Sequence, residues 1–216
     1  PTNDAFAALL GVIGQTGLSD IPESVIERLL KYHVIAGATV MSTDLTDGQE
    51  AATLLSADDK ITVGIDGTSV TINGANVTTA DVEASNGVVH ILDAVLVPSL
   101  ELSIVNTIVE PAYFNKNFSI LTEAVVKADL VGTLTNPAAN LTLFAPDNAA
   151  FAAAGITSVS GLSASDLTPI LTYHVLGSEV FANALPPTGS AVTTLNGPFY
   201  LSINTNGAFI NGLTKI

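Results

Sequence analysis

The sequence predicts an α+β fold built twice over, and three recurring signatures carry that expectation. Pro1-Thr2-Asn3-Asp4-Ala5-Phe6 returns as Pro146-Asp147-Asn148-Ala149-Ala150-Phe151, Tyr32-His33-Val34 as Tyr173-His174-Val175, and Ile72-Asn73-Gly74 as Ile210-Asn211-Gly212. The order is preserved and the offsets are 145, 141 and 138 residues, which marks two copies of a domain-sized unit rather than a short solenoid repeat. Within each copy helical periodicity comes first and strand alternation afterwards, the arrangement of an α+β domain.

Each element has its own signal. Short helices are expected after both Pro-x-Asn-x-Ala-Phe signatures, with Phe6, Leu9, Leu10 and Phe151 turned inward. A stronger helix is expected over residues 21–33, with Asp20 as N-cap, Glu23 completing a capping box, and Val25, Ile26, Leu29, Leu30 and His33 on one stripe. Its counterpart spans 165–174 with Pro169 early in the helix, where a missing N–H is best tolerated. Ser119 opens a further helix, with Ile120, Leu121, Ala124, Val125 and Ala128 on its apolar side and Lys127 facing outward. Ile61-Thr62-Val63 and Val70-Thr71-Ile72 alternate around Asp66-Gly67, and Leu201-Ser202-Ile203 and Phe209-Ile210 around Asn206-Gly207, two hairpin signatures. A short junction near Pro98-Ser99-Leu100-Glu101 divides the chain into domains 1–100 and 101–216. Residues 102–145 have no counterpart in copy one and 78–98 none in copy two. Each copy is therefore expected to be incomplete within this window, completed by a longer parent chain or by neighbouring chains.

Composition removes several classes of function. Twenty acidic residues face 6 basic ones, for a net charge of −14, and so few cations cannot form the surface that a phosphate backbone or an anionic membrane requires. Cysteine is absent, which removes thiolate metal sites, thiol nucleophiles and disulfides together. Apolar runs stay near ten residues, about half of what a spanning helix needs, so no transmembrane segment is expected.

Chemistry is sparse. The three histidines are His33, His90 and His174. His33 and His174 end amphipathic helices, where an imidazole is expected to hydrogen-bond the fold, with Tyr32 and Tyr173 as amphipathic rings beside them. His90 lies on an alternating apolar strand and is expected to face one sheet surface. No Gly-x-Ser-x-Gly elbow, His-Glu-x-x-His helix or phosphate loop occurs; no catalytic residue, metal ligand or cofactor is assigned. Asp58-Asp59 and the pair Asp44 and Asp47 lack calcium-loop spacing and are expected to serve turns. Asn76, Asn117 and Asn140 head glycosylation-type tripeptides of the kind that chance supplies in an Asn/Thr-rich chain.

The ordered signatures resemble the fasciclin-like domain family. The first family box corresponds to Thr142-Leu143-Phe144-Ala145-Pro146-Asp147-Asn148-Ala149-Ala150-Phe151, the central element to the Tyr-His pairs, and the second box to Asn86-Gly87-Val88-Val89-His90-Ile91-Leu92-Asp93-Ala94-Val95-Leu96-Val97-Pro98. The resemblance implies a wedge-shaped β-sandwich with helices along one edge. It also implies a role in extracellular adhesion and matrix building, with the Tyr-His pair tied to domain integrity and the adhesive surface. The cysteine-free, Ala-, Thr- and Asp-rich texture is similar to that of secreted bacterial members. The expectation is a non-catalytic secreted or surface-displayed module that binds an extracellular protein or polysaccharide, or another copy of itself. Tandem repetition supports it, because linked weak sites gain avidity without new contacts. The alternatives are a subunit of a self-associating surface polymer or filament and, more remotely, an exported hydrolase.

Overall fold

A computed structural model describes residues 1–184, 189–212 and 214–215. The chain divides into two compact units, Pro1–Ser103 and Ile104–Ile216. Both mix helices with an antiparallel sheet, as the α+β expectation requires.

Unit 1 begins with α1 (Asn3–Val12), whose N-cap Thr2 accepts a hydrogen bond from the Ala5 N–H, followed by α2 (Glu23–Tyr32). Strands β1 (Glu50–Ala52), β2 (Lys60–Asp66), β3 (Ser69–Ile72), β4 (Ala75–Ala84) and β5 (Gly87–Leu92) form a sheet in sequence order. The expected turn is present: Asp66 pairs with Ser69, and Gly67 takes φ +60 in the two-residue loop, a conformation that favours glycine. Register shifts in β4 between Val77 and Val82 are of the kind that bends a ladder. Tyr32, Ile61, Val63, Ile72, Ala75, Leu92 and Leu96 make the core beneath this sheet.

In sequence, α3 (Ser99–Ile104) leads into unit 2. There α4 (Glu110–Tyr113), α5 (Ser119–Lys127) and α6 (Val131–Leu134) precede β6 (Thr142–Leu143), α7 (Asn148–Ala153) and α8 (Ala164–Tyr173). Strands β7 (Val175–Leu176), β8 (Ser190–Thr194), β9 (Gly197–Asn204), β10 (Gly207–Ile210) and β11 (Thr214–Lys215) follow, ordered β11-β10-β9-β8-β7-β6 in the sheet. Its core is centred on Leu176, Phe199 and Leu201, with Phe144 and Tyr173 packed against them.

The drifting offsets have structural causes. Thr2 and Asp147 cap α1 and α7 alike, but α1 has 10 residues and α7 has 6. One extra helical turn in copy one therefore lowers the offset from 145 to 141. Further on, the Thr53 hydroxyl donates to the Asp59 carbonyl at 2.8 Å and the Thr194 hydroxyl to the Gly197 carbonyl at 2.5 Å. These are the same turn, three residues longer in copy one, which takes the offset to 138.

Several local expectations are corrected. Asp20 does not cap α2: its carboxylate accepts from the Thr16 hydroxyl and the Gly17 N–H, closing the preceding turn, and α2 starts at Glu23 behind Pro22. In α8 the capping box is Ser163 with Asp166, so Pro169 lies inside the helix. Lys127 reaches the carbonyls of Val159 and Ser160 at 2.8 and 2.9 Å rather than open water. Phe6, Leu9 and Leu10 are only half-buried, while Ala5 and Ile13 are buried in their place.

Candidate functional site

The C-terminal end of α2 places Tyr32 and His33 on adjacent positions with separate tasks. The buried Tyr32 hydroxyl donates to the Lys60 carbonyl at 2.7 Å and accepts from Asn73 Nδ2 at 2.9 Å. Asn73 Oδ1 in turn accepts from the Thr62 N–H at 2.7 Å. Asn73 and Gly74 form the β3–β4 turn with φ +49 and +84, a conformation that Asn and Gly tolerate and bulky residues resist. One side chain thus fixes a turn, a neighbouring strand and the end of a helix.

Unit 2 repeats the network. Asn211, at φ +53, accepts from the Tyr200 N–H at 2.9 Å and faces the Tyr173 hydroxyl, which lies 3.4 Å from both Asn211 Nδ2 and the Pro198 carbonyl. These longer contacts make a looser clamp. The sequence marked Asn73 and Asn211 only as repeat signatures. Their Asn-Gly dipeptides, which follow the tyrosines by 41 residues in one copy and 38 in the other, were the signal that identifies them as partners of the tyrosines.

His33 bridges helix and strand. Nε2 accepts the Leu96 N–H at 2.9 Å, so the proton sits on Nδ1, which donates to the Leu29 carbonyl at 2.7 Å. Burial pushes the pKa of this ring down, with the Leu29 carbonyl opposing in part. His174 makes the corresponding Nδ1 bond to the Ile170 carbonyl at 2.8 Å, and its ring meets Tyr173 edge-on.

His90 is elsewhere. Its Nε2 donates to the Val40 carbonyl at 2.9 Å, and its Nδ1 faces the Asp81 N–H at 3.4 Å. Asp81, at φ +57, takes the Ser42 hydroxyl and N–H on its two carboxylate oxygens, and these bonds hold its pKa below the usual carboxylate range. Ser, Asp and His therefore meet, but in an order unlike a nucleophile triad: the hydroxyl proton goes to the carboxylate, and both imidazole nitrogens are engaged with backbone. His33 and His90 share no partner.

Of the acidic pairs, Asp44 and Asp59 close local turns, while Asp47 reaches a strand 18 residues away. Asp44 accepts from the Met41 N–H, Asp47 from the Ile65 N–H, and Asp59 from the Ser56 hydroxyl. Among the described residues there is no group of three His, Asp or Glu side chains arranged to hold a metal ion. No helix of the described residues is long and apolar enough to cross a membrane.

The duplication of the unit coincides with the outcome of sequence comparison. The fasciclin domain profile matches residues 1–98 and again 116–216, and the chain belongs to the fasciclin-domain family. Human periostin is 30% identical over 198 residues, which are 91% of this chain and 22% of periostin. Protein sll1483 of Synechocystis is 36% identical over 101 residues, 46% of this chain and 53% of that protein. The transforming growth factor-beta-induced protein ig-h3 of Sus scrofa is 28% identical over 204 residues, 91% of this chain and 28% of ig-h3. The chain thus spans between about a fifth and about half of these relatives. A solved fasciclin domain pair from the insect cell adhesion molecule fasciclin I aligns with 97% of this chain and 77% of its own, at a TM-score of 0.40 and 17% identity.

Proposed function

We propose that this chain is a non-catalytic extracellular module for adhesion or matrix binding, acting through its two fasciclin domains on an extracellular protein or polysaccharide. The observation that carries the reading is the tandem fasciclin match over nearly the whole chain. Two linked domains of one kind raise avidity for a repetitive partner. Twenty acidic residues against 6 basic ones favour a neutral or cationic partner surface over a polyanion. The Tyr-His ends of α2 and α8 serve this role indirectly, by holding helix and sheet in one arrangement that presents the outer loops.

The committed backbone and carboxylate bonds of Ser42, Asp81 and His90 support the non-enzymatic half of the reading. The test is to immobilise a panel of extracellular matrix proteins and polysaccharides, measure retention of the chain, and assay ester, glycoside and peptide hydrolysis on the same preparation. Saturable binding without turnover is the expected result. Reproducible turnover abolished by Ser42→Ala or His90→Gln would replace the module with an enzyme, and clustering of chain-coated beads without any other ligand would replace it with a self-associating polymer subunit.

A further inference from the structure

The outer face of the unit 2 sheet differs in chemistry from its twin in unit 1. In β9, Phe199 and Leu201 are buried in the core, so strand alternation turns Pro198, Tyr200, Ser202 and Asn204 outward. Cross-strand partners share a face, which adds Thr193 opposite Pro198 and Phe209 opposite Ser202. Tyr200 is 57% exposed, whereas Tyr32 and Tyr113 are buried. Shared bonds fix the counterparts in unit 1: Asn73 accepts from the Thr62 N–H as Asn211 accepts from the Tyr200 N–H, and Tyr32 faces the Lys60 carbonyl as Tyr173 faces that of Pro198. Thr62 therefore stands where Tyr200 stands, and Lys60, bridged to Glu50 at 3.0 Å, where Pro198 stands. Thr62 is exposed as well, although β4 and β5 follow it in the same sheet. The open face thus belongs to the domain itself, and only the ring and the absence of the ion pair are particular to unit 2. All 20 acidic residues lie at or before Glu179, and Lys215 is the one charged side chain in residues 180–216.

We infer that this face of unit 2 binds a neutral polysaccharide, with the Tyr200 ring as the platform on which a sugar stacks. The C–H face of a pyranose is apolar and packs on an aromatic ring, while its rim of hydroxyls needs hydrogen-bonding groups beside that ring. Ser202 and Asn204 supply donors and acceptors, about 7 and about 14 Å along β9 from Tyr200, a reach of more than one sugar. These polar neighbours favour a sugar over a protein, whose docking would need an apolar centre around the ring. A polyanion is repelled by the net charge of −14, and a cationic sugar would find no carboxylate in residues 180–216. The inference rests on the adhesive reading and narrows its partner to one chemical class at one face.

Affinity electrophoresis of the intact chain in native gels containing xylan, galactomannan or hydroxyethyl cellulose, with alginate as the anionic comparison, tests it. At least one neutral polysaccharide is expected to retard the chain. Tyr200→Ala, altered at an exposed position and checked for an unchanged circular dichroism spectrum, should weaken that retardation by at least about tenfold in affinity. Tyr200→Phe keeps the ring and should keep most of the retardation, and Thr62→Ala at the matching position of unit 1 should change nothing. Retardation undiminished in Tyr200→Ala overturns the inference, and so does stronger retardation by alginate than by the neutral polymers. Retention on immobilised matrix proteins without retardation by any of the three neutral polymers also overturns it and leaves the adhesive reading standing, whereas neither retention nor retardation would remove both.

Discussion

At the residue scale, the asparagine of the Ile-Asn-Gly signature carries more of the fold than its neighbours indicate. Asn73 supplies two things, a tolerated positive φ and hydrogen bonds to Tyr32 and the Thr62 N–H. They are separable: Asn73→Gly keeps the turn and loses the bonds, whereas Asn73→Ala loses both. Urea denaturation is expected to show a loss of about 1–2 kcal/mol for the first and about 1 kcal/mol more for the second. Tyr32→Phe should cost about 1 kcal/mol and couple to Asn73→Gly in a double-mutant cycle. Tyr173→Phe should cost less, because its contacts are at 3.4 Å; equal costs in the two units would refute the clamp. His33 adds a pH dependence whose sign follows from its neutral buried ring. The unfolded chain takes up a proton near about pH 6.5 while the folded ring, held below that by burial, does not. Stability contributed by His33 is thus present above about pH 6.5 and declines as the pH falls toward the depressed folded value. Urea midpoints between about pH 7.5 and about pH 5.5 should fall more steeply in the parent than in His33→Gln, and parallel profiles would remove the histidine from the account.

At the element scale, helix ends are where sequence and structure part company. Ser163 with Asp166 is a reciprocal box, the Asp166 N–H donating to the Ser163 hydroxyl and the Ser163 N–H donating to Asp166 at 2.9 Å. Ser163→Ala should lower stability by about 1 kcal/mol, visible as a lower melting temperature of unit 2, and an unchanged melt would show that α8 is held by packing alone. Asp20 offered the same signature for α2, yet a local turn with Thr16 and Gly17 captured its carboxylate, because Asp bonds nearby backbone wherever the chain allows it. Periodicity located α2, α5 and α8 and the two hairpins, since these depend on residues close in sequence. It did not distinguish which half of the α2 face is covered: Val25, Ile26, Leu29 and Leu30 form one apolar arc, but Val25 and Leu29 are buried while Leu30 is exposed. Coverage depends on a distant element, which for the α8 face of unit 2 is α5. The Tyr-His pair was legible as a helix ending, whereas its partners Asn73, Lys60 and Leu96 lie 28 or more residues away and follow from sheet register alone.

At the scale of the whole molecule, duplication gives two cores and an uneven charge. The residues under the first sheet all belong to Pro1–Ser103 and those under the second to Ile104–Ile216. The first unit has 14 acidic and 3 basic residues, the second 6 and 3. Like charges on one compact body repel and weaken it, and salt screens that repulsion over about 10 Å at about 0.1 M. Calorimetry should therefore resolve two transitions. Leu92→Ala is expected to lower one and Leu201→Ala the other, each by about 2–5 kcal/mol, since each removes a buried leucine from a separate core. Added sodium chloride should raise the transition sensitive to Leu92→Ala more than its neighbour, because self-repulsion is concentrated there. If both substitutions lower a single transition together, the units unfold as one body; if salt moves the two transitions equally, the charge imbalance has no bearing on the stability of the first unit.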